Sequence, residues 1–157
     1  MTDEQAGVVS NPDFHWVGVR HGWASFELIG SDDARYRTTV SDGTDVFREH
    51  LAALRRALAE REPQRISFDT EPYEVRWTVT PNGGCADVRV TWHGEWGQGE
   101  GELRWHEPQV DLRLLATQAI ASLEALRSTL GADGFAEAWP YAYPEDEIDA
   151  LREISAR

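Results

Sequence analysis

Three carboxylates and two aromatic rings crowd the start of one stretch. Asp69, Glu71 and Glu74 stand beside Tyr73 and Trp77 in "FDTEPYEVRWTVTPNGGCADVRVTW", residues 68–92. Acids set among rings suit general acid–base chemistry, provided one carboxyl is stripped of water so that its pKa rises. A second grouping follows. His93, Glu95, His106 and Glu107 flank a glycine-rich run and could converge on a zinc ion if their strands pair. Each grouping has a plain structural explanation. Alternation puts Glu74 on the polar outer face of a hairpin, with Asp69, Glu71 and Pro72 as the bend before it, so these acids are not expected to form a catalytic set. His93 and His106 sit at strand ends, His50 stands alone on its helix, and Cys85 is the single cysteine. The expectation is no catalytic residue, no cofactor and no metal, with His93 and His106 as the alternative metal ligands.

Other chemistry is excluded by motif and charge. No G-x-S-x-G elbow is present. The glycines of "GEWGQGEG" precede no Lys, open no helix and have acidic neighbours, the wrong sign for a phosphate cradle. The net charge is −13, with every basic side chain an Arg. Such a chain repels nucleic acid and anionic membranes at long range and attracts basic proteins.

Tryptophan, glycine and acid coincide in two places. Between His93 and Glu107 lie Trp96, Trp105, Glu95, Glu100 and Glu102. From Asp133 onward come Phe135, Trp139, Tyr141 and Tyr143 among seven acidic residues and two Arg. Rings beside carboxylates anchor basic protein surfaces, because the ring supplies apolar area and the carboxylate accepts from Arg. The candidate contact residues are Trp96, Glu95, Glu100 and Glu102, joined by Trp139 and Tyr141.

The elements that must position these residues follow from periodicity. Ala24, Phe26 and Leu28 share a face with Tyr36, Thr38 and Val40 if an odd-numbered loop joins the two strands. In "SDGTDVFREHLAALRRALAER", Phe47, Leu51, Leu54 and Leu58 make a helical stripe, Thr44 is the expected N-cap, and Arg48, Arg55, Arg56 and Glu60 take the other side. Asn82-Gly83 predicts a tight turn pairing Trp77 with Val88, Val75 with Val90 and Tyr73 with Trp92. A turn at Gly83-Gly84 would leave the faces unchanged. A long helix runs from about Asp111 to Leu130 and stops at Gly131. A last helix has Pro144 as its first residue.

The fold class is α+β: one antiparallel sheet of about five or six strands, two main helices packed on one face and a short C-terminal helix, in the order ββαβββαα. Residues 1–13 read as a poorly ordered tail and 14–157 as a single domain. The expected core is Phe26, Leu28, Phe47, Leu51, Leu54, Val75, Trp77, Val88, Val90, Leu115, Leu123 and Leu126. "FDTEPYEVRW", a turn, "VRVTW", and a long helix followed by "GFAEAW" and a Pro-bounded helix resemble a family of small bacterial single-domain proteins without established activity. The resemblance spans roughly residues 23–155 and implies a bacterial domain but no functional residue.

The N-terminus has neither an apolar signal core nor an Arg-rich transit pattern, and no apolar run spans a bilayer. With one cysteine, this suits a reducing cytoplasm. The function expected is non-enzymatic protein binding, in the manner of an immunity protein or antitoxin that masks a basic partner. The alternative is a small enzyme or small-ligand binder that uses residues 92–107.

Overall fold

The computed structural model describes residues 11–157. The elements are β1 (Asp13–Arg20), β2 (Trp23–Ile29), β3 (Arg35–Ser41), α1 (Val46–Glu60), β4 (Gln64–Asp69), β5 (Glu74–Asn82), β6 (Cys85–His93), β7 (Glu102–Asp111), α2 (Leu112–Ala138) and α3 (Glu145–Ser155). The fold is α+β, but the expected single sheet and its order are corrected. There are two antiparallel sheets, β1-β2-β3 and β4-β5-β6-β7, and the order is βββαββββαα. The expected tail lies outside the described residues up to position 10. Its last residues are placed: Pro12 is buried and Asp13 opens β1.

The two strands that the apolar pattern fails to separate have physical reasons for being hidden. In β1 a bulge falls between Trp16 and Gly18, so the buried positions run Phe14, Trp16, then Val19 and break the period of two. In β4 the alternation has only Ile66 and Phe68 to show. The helices also differ from the expected common face. α2 runs along β1, while α1 packs against β4 and β5.

The β2–β3 register pairs Ala24 with Val40, Phe26 with Thr38 and Leu28 with Tyr36, as an odd loop requires. The β5–β6 turn falls at Gly83-Gly84, so Trp77 faces Val90 and Val75 faces Trp92 rather than the partners an Asn82-Gly83 turn would give. Gly83 takes φ +67°, which suits a residue without a Cβ. A shift of two residues keeps every side chain on its face, so the inner face survives the correction.

The two sheets meet through aromatic edges. Trp77 of the second sheet lies 5.3 Å from Phe14 and 5.5 Å from Phe26 of the first, ring edge to ring face. The expected core residues are buried except Leu126, which packs on the rim. The free edge of β1 is covered by α2: the backbone N–H of Phe14 donates to the Gln118 side chain (3.0 Å) and that of Trp16 to the Ser122 hydroxyl (3.1 Å). Four residues along a helix and two along a strand both advance about 6 Å, so the helix side chains match alternate donors of the strand.

Helix ends account for the rest. Asp45, not Thr44, caps α1 and accepts from the Arg48 N–H. Asp111 caps α2 as expected, and Gly131 (φ +76°) interrupts α2 where the sequence predicts its end. Pro144 is the cap of α3 rather than its first residue. Two ion pairs tie α3 to α1, Arg48–Asp146 (2.9 Å) and Arg55–Glu147 (3.0 Å).

Candidate functional site

The glycine-rich loop between β6 and β7 folds back over the polar face of the second sheet. Its seat is a pair the sequence places in solvent. Glu74 is 0% exposed and accepts two bonds from the Arg76 guanidinium, at 3.0 and 3.1 Å. The loop closes over this pair, and the Gly97 N–H donates to Glu74 Oε1 at 2.9 Å. Burial works to raise the Glu74 pKa. The bonds from Arg76, Gly97 and Ser67, with the charge of Arg76, outweigh it and bring the value down to about 2. The carboxylate therefore stays ionised, the opposite of what a general acid needs.

His93 makes the second tether. It is 1% exposed, with Nδ1 3.1 Å from the Gln98 carbonyl and Nε2 2.9 Å from the Thr91 hydroxyl. The carbonyl can only accept, so Nδ1 donates to it. Gly101 lies against the same ring. A Cβ there would stand 2.5 Å from His93 Cε1, at a φ of +74°. Glycine at this position lets the loop lie flat on the histidine.

The alternative metal site is not assembled. Both His93 nitrogens are taken, His106 Nε2 donates to Asp87 (2.8 Å), and Glu107 accepts from the Ser31 N–H (2.8 Å). Among the described residues no three His, Cys, Asp or Glu side chains converge as metal ligands. Asp69 is engaged in its own turn, accepting from the Glu71 N–H at 2.8 Å.

The candidate contact residues separate into two groups. Trp96 is 42% exposed, and Glu95 and Glu100 on the same loop and Glu102 at the start of β7 are exposed as well. Trp139 is 1% exposed, packed 4.9 Å from Phe47, with its indole N–H directed to Asp45. Tyr141 is half-buried against Trp139, and its hydroxyl donates to the Asp42 carbonyl (2.8 Å). These two rings brace the entry to α1 and offer no free indole or hydroxyl surface comparable to that of Trp96.

A concavity lined by Trp96 was not legible as a site. A cleft of about 610 Å3 lies between α1 and β4. Trp96 lines it from the loop, Arg48, Ala52 and Arg56 from one stripe of α1, and Arg65, Ile66 and Ser67 from β4. The spacing of four between Arg48, Ala52 and Arg56 is the signal that could have pointed to it. Alternation alone assigns those arginines to solvent without showing that β4 stands opposite. Glu49 also lines the cleft, and burial pushes its carboxyl upward.

Comparison with protein-family models, curated proteins and solved structures finds no match, so the site rests on its own geometry. Among the described residues no helix is long and apolar enough to cross a membrane.

Proposed function

We propose that this chain is a non-enzymatic binding protein of the bacterial cytosol that docks a basic protein on the loop from Glu95 to Glu102, in the manner of an immunity protein or antitoxin. The observation that carries the reading is an exposed Trp96 on an acidic segment, with Glu95, Glu100 and Glu102 also exposed, tethered from beneath by Glu74 and His93. A loop so rich in glycine would ordinarily lose much backbone freedom on binding. The tethers lower that cost by holding part of the loop before the partner arrives. Trp96 supplies apolar area and the acids supply steering and acceptors for Arg.

The partner class follows from charge: a basic surface, such as the substrate face of an enzyme that acts on polyanions. The test is affinity capture with the wild-type chain beside two variants, Trp96→Ala and the triple reversal Glu95→Arg, Glu100→Arg, Glu102→Arg. The reading expects a basic protein held by the wild-type chain and lost by both variants. Equal recovery of the same protein by all three chains would remove the loop as the interface.

A further inference from the structure

We infer that the cleft between α1 and β4 is a ligand site for a flat ring carrying a strong oxyanion, a carboxylate or a phosphate. In a chain of net charge −13 this concavity gathers three arginines, Arg48, Arg56 and Arg65. Their pairing differs. Arg48 is held by Asp146 at 2.9 Å and Asp45 at 3.6 Å. Arg56 donates through Nε to the neutral Gln64 side chain (2.9 Å), which leaves its terminal nitrogens available. Arg65, exposed on β4, meets no carboxylate among the described residues. Arg56 also acts through its charge on Glu49 in the same cleft. Among the described residues, however, neither Arg56 nor Arg65 is salt-bridged to a carboxylate, so two guanidinium groups line one space, each with the planar fork that receives carboxylate or phosphate oxygens in pairs.

The other walls fit the rest of the ligand. Trp96 presents an indole on one side, and Ala52 and Ile66 supply apolar surface. The volume, about 610 Å3, falls in the range of small-molecule sites. Glu49 opposes an anion, but Arg56 and Arg65 outnumber it, and Glu147 on the rim is already bound to Arg55. The ring stacks on Trp96 and the oxyanion bridges Arg56 and Arg65. Of the candidate docking residues only Trp96 lines this cleft.

Calorimetric titration of the full chain tests it with two probes, adenosine 5′-monophosphate for the phosphate source and indole-3-acetate for the carboxylate source. Adenosine and inorganic phosphate serve as the ring alone and the anion alone. Saturable binding of either probe is expected, with each half-probe weaker by about tenfold or more, the worth of one charge-assisted interaction. Arg56→Gln and Arg65→Gln each lose about tenfold. Trp96→Ala weakens binding and Trp96→Phe retains it. Glu153→Gln, an exposed charge on α3 outside the cleft lining, leaves it within about twofold. Thermal melts of the variants, with substitutions confined to exposed or half-buried positions, establish that they fold. Absence of saturation by both probes up to about 10 mM, inorganic phosphate binding as tightly as the nucleotide, or binding unchanged in both arginine variants would each overturn the assignment.

Discussion

Glu74 and His50 are both sealed from water, and the molecule treats them in opposite ways. Glu74 is surrounded by donors: the Arg76 fork and the Gly97 N–H, with Ser67 contributing. It remains charged, and its charge holds the Trp96 loop. His50, on the buried side of α1, has neither ring nitrogen partnered among the described residues. It sits among aromatic rings, 4.7 Å from Trp77, 4.9 Å from Phe14 and 5.7 Å from Trp16. Burial alone drives its pKa down to about 3, so it serves as a neutral ring in the core. A buried ionisable side chain is thus no sign of chemistry by itself. Its partners decide whether it organises a surface or merely fills space.

The contrast is broken most severely at Glu74. Glu74→Ala leaves the Arg76 guanidinium buried without its carboxylate, and loss of one member of such a pair costs about 3–5 kcal/mol. The same change removes the acceptor of the Gly97 N–H. Chemical denaturation should show the stability loss, and amide exchange at Gly97 should rise above the wild-type rate at matched global stability. A variant with near wild-type stability and a protected Gly97 amide would mean that the pair does not seat the loop.

Acid separates the two groups by window. His50 has a folded pKa below its unfolded value of 6.5, so the unfolded chain takes up the proton first as pH falls. Its contribution is complete above about pH 6.5 and is lost progressively toward pH 3, amounting to about 3 kcal/mol by pH 4. Glu74 is depressed from 4.5 to about 2, so its contribution is present above pH 4.5 and is lost as pH falls below that. Between pH 6.5 and 4.5 the loss is mainly that of His50. His50→Phe, which removes the titration but keeps a ring, should flatten the stability profile there and leave the steeper fall below pH 4.5. An unchanged slope from pH 6.5 to 4.5 in the variant would show that His50 is protonated in the folded state.

Smaller in effect is Gly101→Ala. The left-handed backbone costs an alanine about 1–2 kcal/mol, and the new Cβ meets the His93 ring at 2.5 Å. Either His93 or the loop must move. The expected result is a modest drop in melting temperature with a clear change in the His93 ring resonances. Unchanged resonances would place the loop away from the histidine.

Much of the scaffold was legible from spacing. The inner face of the β5–β6 hairpin, the α1 stripe and the end of the long helix at Gly131 follow from periodicity and from what glycine permits. Alternation reports which side a residue takes, not what covers that side. Glu74 and Arg76 were correctly placed on the polar face, but no local pattern reveals that a distant glycine loop returns to bury them. β1 was obscured because the bulge at Val17 shifts its phase. Trp139 resembled Trp96 in acidic surroundings, yet the chain after the break at Gly131 carries it back against Phe47. The arginine cleft needed two elements at once, one contributing every fourth residue and the other three in a row.

The docking claim is tested most directly by the association and dissociation rates of a purified basic partner with the wild-type chain, Trp96→Ala and the Glu95, Glu100, Glu102 reversal. Charge reversal should slow association and weaken its dependence on salt. Trp96→Ala should leave association nearly unchanged and speed dissociation by about thirtyfold, the equivalent of a ~2 kcal/mol anchor. Rates identical to wild type in both variants would contradict the docking claim.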